Sequence, residues 1–66
     1  MVIQLNGKRE SVDPETTIGG LIREKGLDPT AVVVEHNRDI IDATKWDEIV
    51  LKENDKLEVL RFVGGG

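Results

Sequence analysis

The stretch MVIQLNGKRESV, residues 1–12, decides the fold. Ile3 and Leu5 fall on one face of an extended segment, because side chains alternate between the two faces of a strand. The Asn-Gly dipeptide at 6–7 accepts the positive φ angles of a tight two-residue hairpin turn. Residues 8–12 are mostly polar, which suits an edge strand that must not pair with other molecules. The chain is therefore predicted to begin with an antiparallel hairpin.

A short helix is predicted in TTIGGLIREKG, residues 16–26. Three apolar residues recur there at helical spacing, namely Ile18, Leu21 and Ile22. Thr17 or Thr16 can cap the amino end, and Gly26 can take the left-handed conformation that closes a carboxyl end. The glycine pair at 19–20 weakens the helix, so packing against the rest of the fold must hold it.

The second half of the chain is predicted to form strands. The apolar run at 31–34, which consists mostly of β-branched valines, favours a central strand covered on both faces. A polar break at 35–39 separates it from the apolar pair 40–41. After the turn-prone stretch 52–55, residues 57–63 form the last strand. A hairpin, a helix and then strands indicate an α+β fold with the helix crossing one face of a mixed sheet.

The last strand has two kinds of face. If Leu57 and Val59 point toward the helix, Glu58, Leu60 and Phe62 point to the opposite side. Either the loop that carries the single tryptophan covers these apolar side chains, or they form a docking surface for a partner. The docking surface is favoured, because contiguous exposed apolar area marks interaction sites.

Composition excludes several classes of function. With 66 residues, the chain is expected to form one small domain. It has no cysteine, so it lacks disulfides, thiolate metal sites and a side-chain thiol nucleophile. A net charge of −4 disfavours nucleic-acid binding. No membrane span or signal peptide is evident, so a soluble cytoplasmic protein is expected.

Residues that could carry chemistry are better interpreted as structural. The acidic residues are scattered and are predicted to be solvated charge: Asp39, Asp42, Asp47, Glu48, Glu53 and Asp55. His36 has no evident acidic partner, which makes a catalytic triad improbable and a structural or solvent-facing role the better interpretation. Trp46 is predicted to cover the small core rather than to stack on a ligand. No catalytic residue and no metal site are predicted.

The stretch RFVGGG at 61–66 places three glycines directly after an apolar segment. Glycine loses more backbone freedom on ordering than any other residue, so such a run adds little to stability. A frayed end or a cloning remnant is the plain alternative, but a remnant usually follows a polar spacer. The glycine run is therefore predicted to serve a function other than stability.

Five sequence segments, taken in chain order, resemble the ThiS family, the sulfur carrier proteins of thiamine biosynthesis: MVIQLNG, TTIGGLI, VVVEHNRDII, ENDKLEV and RFVGGG. The resemblance spans essentially the whole chain. It implies a β-grasp, or ubiquitin-like, domain at 1–63 and a flexible tail at 64–66. The domain would be a mixed sheet of four to five strands with one main helix on one face and the last strand paired with the first. Arg38 and Gly64 depart from the family pattern, and Arg38 leaves the type of the turn at Asn37 open.

The resemblance also implies a function for the terminal carboxylate of Gly66. An adenylyltransferase related to ubiquitin-activating enzymes would use ATP and magnesium to adenylate it, and a cysteine desulfurase relay would supply sulfur to form a thiocarboxylate. Thiazole synthase would then take the sulfur. Gly64 and Gly65 would be the flexible tail. The predicted partner-binding residues, which follow from the exposed face of the last strand, are Leu60, Phe62 and Val63. In this interpretation the chain binds no cofactor and is a protein co-substrate rather than an enzyme.

Two other functions remain open. The small subunit of molybdopterin synthase shares the fold and the diglycine end, although the shorter chain and the EHNRDII and FVGGG segments favour the thiamine carrier. A ubiquitin-like binding module could instead dock through Leu60 and Phe62 without any chemistry at Gly66.

Overall fold

The structure, a computed structural model, describes residues 1–62. Within that range the elements are β1 Val2–Leu5, β2 Lys8–Ser11, α1 Ile18–Glu24, a first 3₁₀ segment Pro29–Ala31, β3 Val32–His36, β4 Asp39–Ile41, a second 3₁₀ segment Ala43–Glu48 and β5 Lys56–Arg61. The strands form one mixed five-stranded sheet in the order β2-β1-β5-β3-β4. The predicted α+β class is confirmed, whereas the predicted boundary after residue 63 lies outside the described residues.

The opening hairpin forms as the sequence predicts. Leu5 pairs with Lys8 across a two-residue loop. The loop residues Asn6 and Gly7 have φ angles of 50° and 80°, and two positive values define the primed turn that matches strand twist. β2 lies at one edge of the sheet, so its polar composition serves an exposed position.

Both ends of α1 are capped by the predicted residues. The Thr17 hydroxyl accepts a hydrogen bond from the Gly20 N–H at 3.0 Å. Gly26 has a φ of 68°, and the next residue, Leu27, donates its N–H to the Ile22 carbonyl at 3.1 Å. This is the Schellman pattern, which satisfies a carbonyl that the helix itself leaves free. At 7 residues α1 is short, and no helix of the described residues could cross a membrane.

The core lies between α1 and one face of the sheet. Its buried members are Ile3, Val12, Ile18, Leu21, Ile22, Val32, Val34, Trp46, Leu51 and Leu57. Trp46, on the second 3₁₀ segment, is only 5% exposed, and its indole N–H donates to the Ile41 carbonyl at 3.0 Å. The predicted role of Trp46 as a cover over the core is confirmed.

The predicted interior position of β3 in the sheet is confirmed, but the prediction that both of its faces are covered is wrong. β5 occupies the centre of the sheet, and β3 lies between β5 and β4. Val32 and Val34 are buried, whereas Val33 is half-buried on the face away from α1. A run of β-branched residues reports a preference for extended backbone and does not show which face is covered.

The polar break after this run is shorter than predicted. Glu35 and His36 continue β3, and only Asn37 and Arg38 form the turn to β4. Their φ angles are 49° and 76°, so this turn is also of the primed type. An arginine at the second position is uncommon, because a side chain disfavours the left-handed region.

Candidate functional site

The site is built on β5, which is held by neighbours on both sides. It pairs in parallel with β1 from Gln4↔Lys56 to Leu5↔Leu57. It pairs antiparallel with β3 from Val32↔Arg61 to His36↔Leu57. The Phe62 N–H continues this ladder by donating to the Ala31 carbonyl at 2.8 Å. The backbone of β5 is therefore fixed up to the last described residue.

Asn6 extends the hydrogen bonding between β1 and β5. Its N–H donates to the Leu57 carbonyl at 2.9 Å. Its side-chain Oδ1 accepts from the Val59 N–H at 2.7 Å, and its Nδ2 donates to the Val59 carbonyl at 3.4 Å. The amide thus takes the place of the next β1 residue in the ladder. Sequence reasoning assigned Asn6 only to the turn, because nothing local predicts this second contact.

The two faces of β5 differ as the period of two predicts. Leu57 is 1% exposed, whereas Leu60 and Phe62 are 60% and 59% exposed. The alternative in which the tryptophan loop covers them is wrong, because Trp46 packs into the core on the α1 side. We call the side of the sheet away from α1 the open face.

The open face continues onto β3 and β4. Val33 lies opposite Leu60, and Glu35 lies opposite Glu58. On β4, Ile40 lies opposite Glu35 and is 73% exposed. Sequence reasoning missed Val33 and Ile40 as surface residues, since only the pairing of the strands places them beside β5.

A polar cluster around the buried Asp55 fixes the beginning of β5. The Asp55 carboxylate is 2.8 Å from Nε2 of His36 and accepts hydrogen bonds from Asn37 Nδ2 at 3.2 Å and the Lys52 N–H at 2.9 Å. Burial acts to raise the pKa of Asp55, but the hydrogen bonds from His36, Lys52 and Asn37 outweigh it, so this pKa lies below its usual value. The cluster gives His36 a structural role.

Two predictions about this cluster are wrong. Asp55 is only 9% exposed and is not solvated charge, and His36 does have an acidic partner. The residues are 19 positions apart in sequence, and the β3–β5 register brings them together. The other acidic residues predicted to be solvated are exposed: Asp39, Asp42, Asp47, Glu48 and Glu53.

Replacing Asp55 with Asn is expected to lower the free energy of unfolding by about 1.5 kcal/mol near neutral pH, because an amide cannot accept from all three donors. The folded-state pKa of Asp55 is lowered. Its contribution is therefore complete above the unfolded-state pKa of about 3.9 and is lost as pH falls through the folded-state value. Urea unfolding from about pH 7 to about pH 2.5 should show the difference between the two proteins shrinking toward acid. The exposed Asp39→Asn is the matched control, and equal stability of wild type and Asp55→Asn at neutral pH contradicts the prediction.

The structure brings some of the predicted site residues together and does not describe the others. Leu60 and Phe62 lie side by side on the open face. The remaining predicted site residues lie outside the described range, namely Val63, Gly64, Gly65 and Gly66. Within residues 1–62 there is neither a concave pocket nor a group of three potential metal ligands. The described part of the chain thus presents exposed apolar side chains on the open face.

Known proteins resemble this chain over its whole length. The model of the ThiS family matches residues 3–66. The sulfur carrier protein ThiS of Bacillus subtilis is 38% identical over 66 residues, covering 98% of this chain and 100% of that protein. A thiazole synthase of Magnetococcus marinus is 38% identical, and one of Paramagnetospirillum magneticum 32%, each over 66 residues and 100% of this chain. The chain spans only 20% of the length of either thiazole synthase.

Solved structures agree with these matches. The crystal structure of the thiamine biosynthesis protein ThiS from Geobacter metallireducens superposes with a TM-score of 0.83 at 29% identity, covering 100% of both chains. A solution structure of a thiamine biosynthesis protein from the same organism gives 0.80 at 29% identity, covering 100% of this chain and 88% of the other. The five-stranded sheet with one helix is accordingly the ubiquitin-like β-grasp fold. The chain belongs to the ThiS family.

Proposed function

We propose that the chain is a sulfur carrier of thiamine biosynthesis, and that Gly66 is its carboxyl terminus and carries the sulfur. The observation that carries the proposal is the match to the Bacillus subtilis sulfur carrier, which covers 100% of that protein. The ThiS family match also favours the thiamine carrier over the small subunit of molybdopterin synthase.

The chemistry follows from the low reactivity of a carboxylate. Its charge is shared by two oxygens, so attack by sulfur requires prior activation. In the proposed sequence, a Gly66 oxygen attacks the α-phosphorus of ATP, pyrophosphate leaves, and an acyl adenylate forms. The terminal sulfur of a persulfide, supplied by a cysteine desulfurase relay, then attacks the carbonyl carbon, and AMP leaves. A partner thiol reduces the resulting acyl disulfide, which releases the thiocarboxylate and forms a disulfide between the partner thiol and the relay cysteine. The partner adenylyltransferase and its magnesium perform the catalysis, and this chain is the co-substrate.

The composition suits a carried thioacid. Residues 64–66 have no Cβ, so this backbone can enter a narrow channel, and three extended residues reach about 10 Å. The 66 residues include no cysteine. Consequently no thiol of the carrier itself can attack the activated carboxyl group or exchange with the bound sulfur.

The open face is the proposed docking surface for the partners. Leu60 lies on β5, and Phe62 follows this strand directly before residues 63–66. An enzyme that holds both side chains therefore has the chain end within reach. We propose that Val63 continues this contact. Two proteins named thiazole synthase contain a segment similar to this chain, which supports thiazole synthase as the acceptor of the sulfur.

Intact-mass measurement tests the proposal. The chain is incubated with ATP, magnesium, a ThiS adenylyltransferase and a sulfur source, and its mass should rise by about 16 Da as an OH group becomes SH. The Bacillus subtilis carrier serves as the positive control, and a reaction without ATP as the negative control. An unchanged mass beside a converted positive control would contradict the thiamine-carrier role and leave the molybdopterin synthase subunit and the ubiquitin-like binding module.

A further inference from the structure

Two acidic side chains face each other on the open face. Glu58 of β5 and Glu35 of β3 are direct partners in the antiparallel ladder. Side chains in such positions have Cβ atoms about 4.5–5.5 Å apart, and like charges there destabilise the sheet. The free chain therefore holds an unfavourable pair beside its apolar docking residues.

Neither glutamate of this pair takes part in an ion pair within the described residues. The ion pairs within 4.0 Å that residues 1–62 form are Arg23–Asp47, Lys25–Glu10, His36–Asp55 and Lys45–Glu48. Lys56 shares the open face with Glu58, two positions earlier on β5, but belongs to none of them. The charges of Glu35 and Glu58 remain available to a group from outside residues 1–62.

Apolar side chains border the two carboxylates. On the open face, Leu60 follows Glu58 along β5, and Val33 precedes Glu35 along β3. Ile40 lies opposite Glu35 on β4. Leu60 and Ile40 are 60% and 73% exposed. A complementary group must therefore present a cation on an apolar stem.

We propose that the Glu35–Glu58 pair binds an arginine side chain of the adenylating partner, an inference that rests on the proposed function. A planar guanidinium has five donors and can bridge two carboxylates, and its weakly hydrated faces can pack on Leu60 and Ile40. A lysine ammonium is compact and strongly hydrated, so it fits less well. A second copy of this chain is the wrong occupant, because each copy has a net charge of −4.

The first experiment uses the free chain and needs no enzyme. Nuclear magnetic resonance titrations with N-acetylarginine amide should shift the signals of Glu35 and Glu58 more than titrations with N-acetyllysine amide. The double variant Glu35→Gln, Glu58→Gln should lose this preference. Equal shifts with both compounds, or shifts centred elsewhere, overturn the inference, as does a wild-type chain that sediments as a dimer.

The second experiment measures binding to the adenylyltransferase by calorimetry at several salt concentrations. The double variant should bind about tenfold more weakly, with a flatter salt dependence. The matched control Glu24→Gln, Glu48→Gln changes net charge equally but lies on the α1 side of the sheet, and its affinity should stay within about twofold of wild type. Equal affinity of wild type and the double variant overturns the inference, as do equal losses in both variants.

Measurements of stability and of sulfur transfer distinguish a failure of the arginine site from a failure of the proposed carrier function. Removing the repulsion should keep or raise the unfolding temperature of the double variant, and a fall would mean that the pair is structural. If wild type and variant bind and gain sulfur equally, the arginine site is wrong and the carrier function stands. If wild type gains no sulfur, the carrier function fails, and the titration of the free chain alone decides whether the pair selects arginine.

Discussion

A chain that lacks Gly65 and Gly66 is expected to lose adenylation completely while unfolding at nearly the same temperature. Removing two residues withdraws the terminal carboxylate by about 7 Å in an extended chain, too far for an oxygen to reach the α-phosphorus of a bound nucleotide. The core of the described structure lies at or before Leu57, so the deletion should alter stability little. Intact mass after incubation with ATP and sulfur, together with thermal unfolding, measures both effects.

A variant of unchanged length controls for the loss of glycine itself. Replacing Gly65 and Gly66 with alanines keeps the carboxylate in place but adds two Cβ atoms, so a reduced rate rather than no product is expected. A deletion that still gains about 16 Da would show that Gly66 is not the acceptor. A fall in unfolding temperature of more than about 5 °C would show that the glycines belong to the fold.

The parts of the fold that local chemistry determines were predictable. The first turn depends on the positive φ angles of Asn6 and Gly7, and the helix ends depend on Thr17 and Gly26. Each of these signals acts over a few residues, so the sequence carries it without knowledge of the fold.

Contacts between distant segments were not predictable from residues alone. The parallel pairing of β1 with β5 joins Leu5 to Leu57, and only the family resemblance supplied it. The β-branched run was predicted to be covered on both faces, whereas Val33 lies on the open face, because residue type alone does not specify packing between distant segments. The Asp55–His36 contact was missed for the same reason, since it exists only once β3 and β5 are in register.

Some residues of the candidate site were likewise predictable from local sequence, and others required the pairing of distant strands. Alternation along β5 predicted that Leu60 and Phe62 share a face, because the period of two is a local property. Ile40 and the opposed pair Glu35 and Glu58 required the register of the neighbouring strands. Residues 63–66 lie outside the described structure, so their role rests on sequence and family membership.

Replacing Phe62 with Asp is expected to weaken binding to the adenylyltransferase about thirtyfold, equivalent to about 2 kcal/mol. Phe62 is 59% exposed beside Leu60, so a partner that covers it buries a large aromatic surface. Aspartate removes that surface and forces a carboxylate into an apolar contact, which costs desolvation energy. Calorimetry with the purified enzyme gives the change in Kd.

Two controls test whether Phe62→Asp weakens binding through the interface rather than through lost stability or added charge. Because the side chain is exposed, Phe62→Asp should change the free energy of unfolding by no more than about 0.5 kcal/mol. Val50→Asp introduces the same charge at another exposed apolar residue, 47% accessible and outside the open-face strands, and should leave Kd within about twofold of wild type. Unchanged affinity in Phe62→Asp would remove this residue from the interface. Equal losses in both variants would show that added negative charge alone weakens binding, because only a contact at the open face distinguishes the two positions.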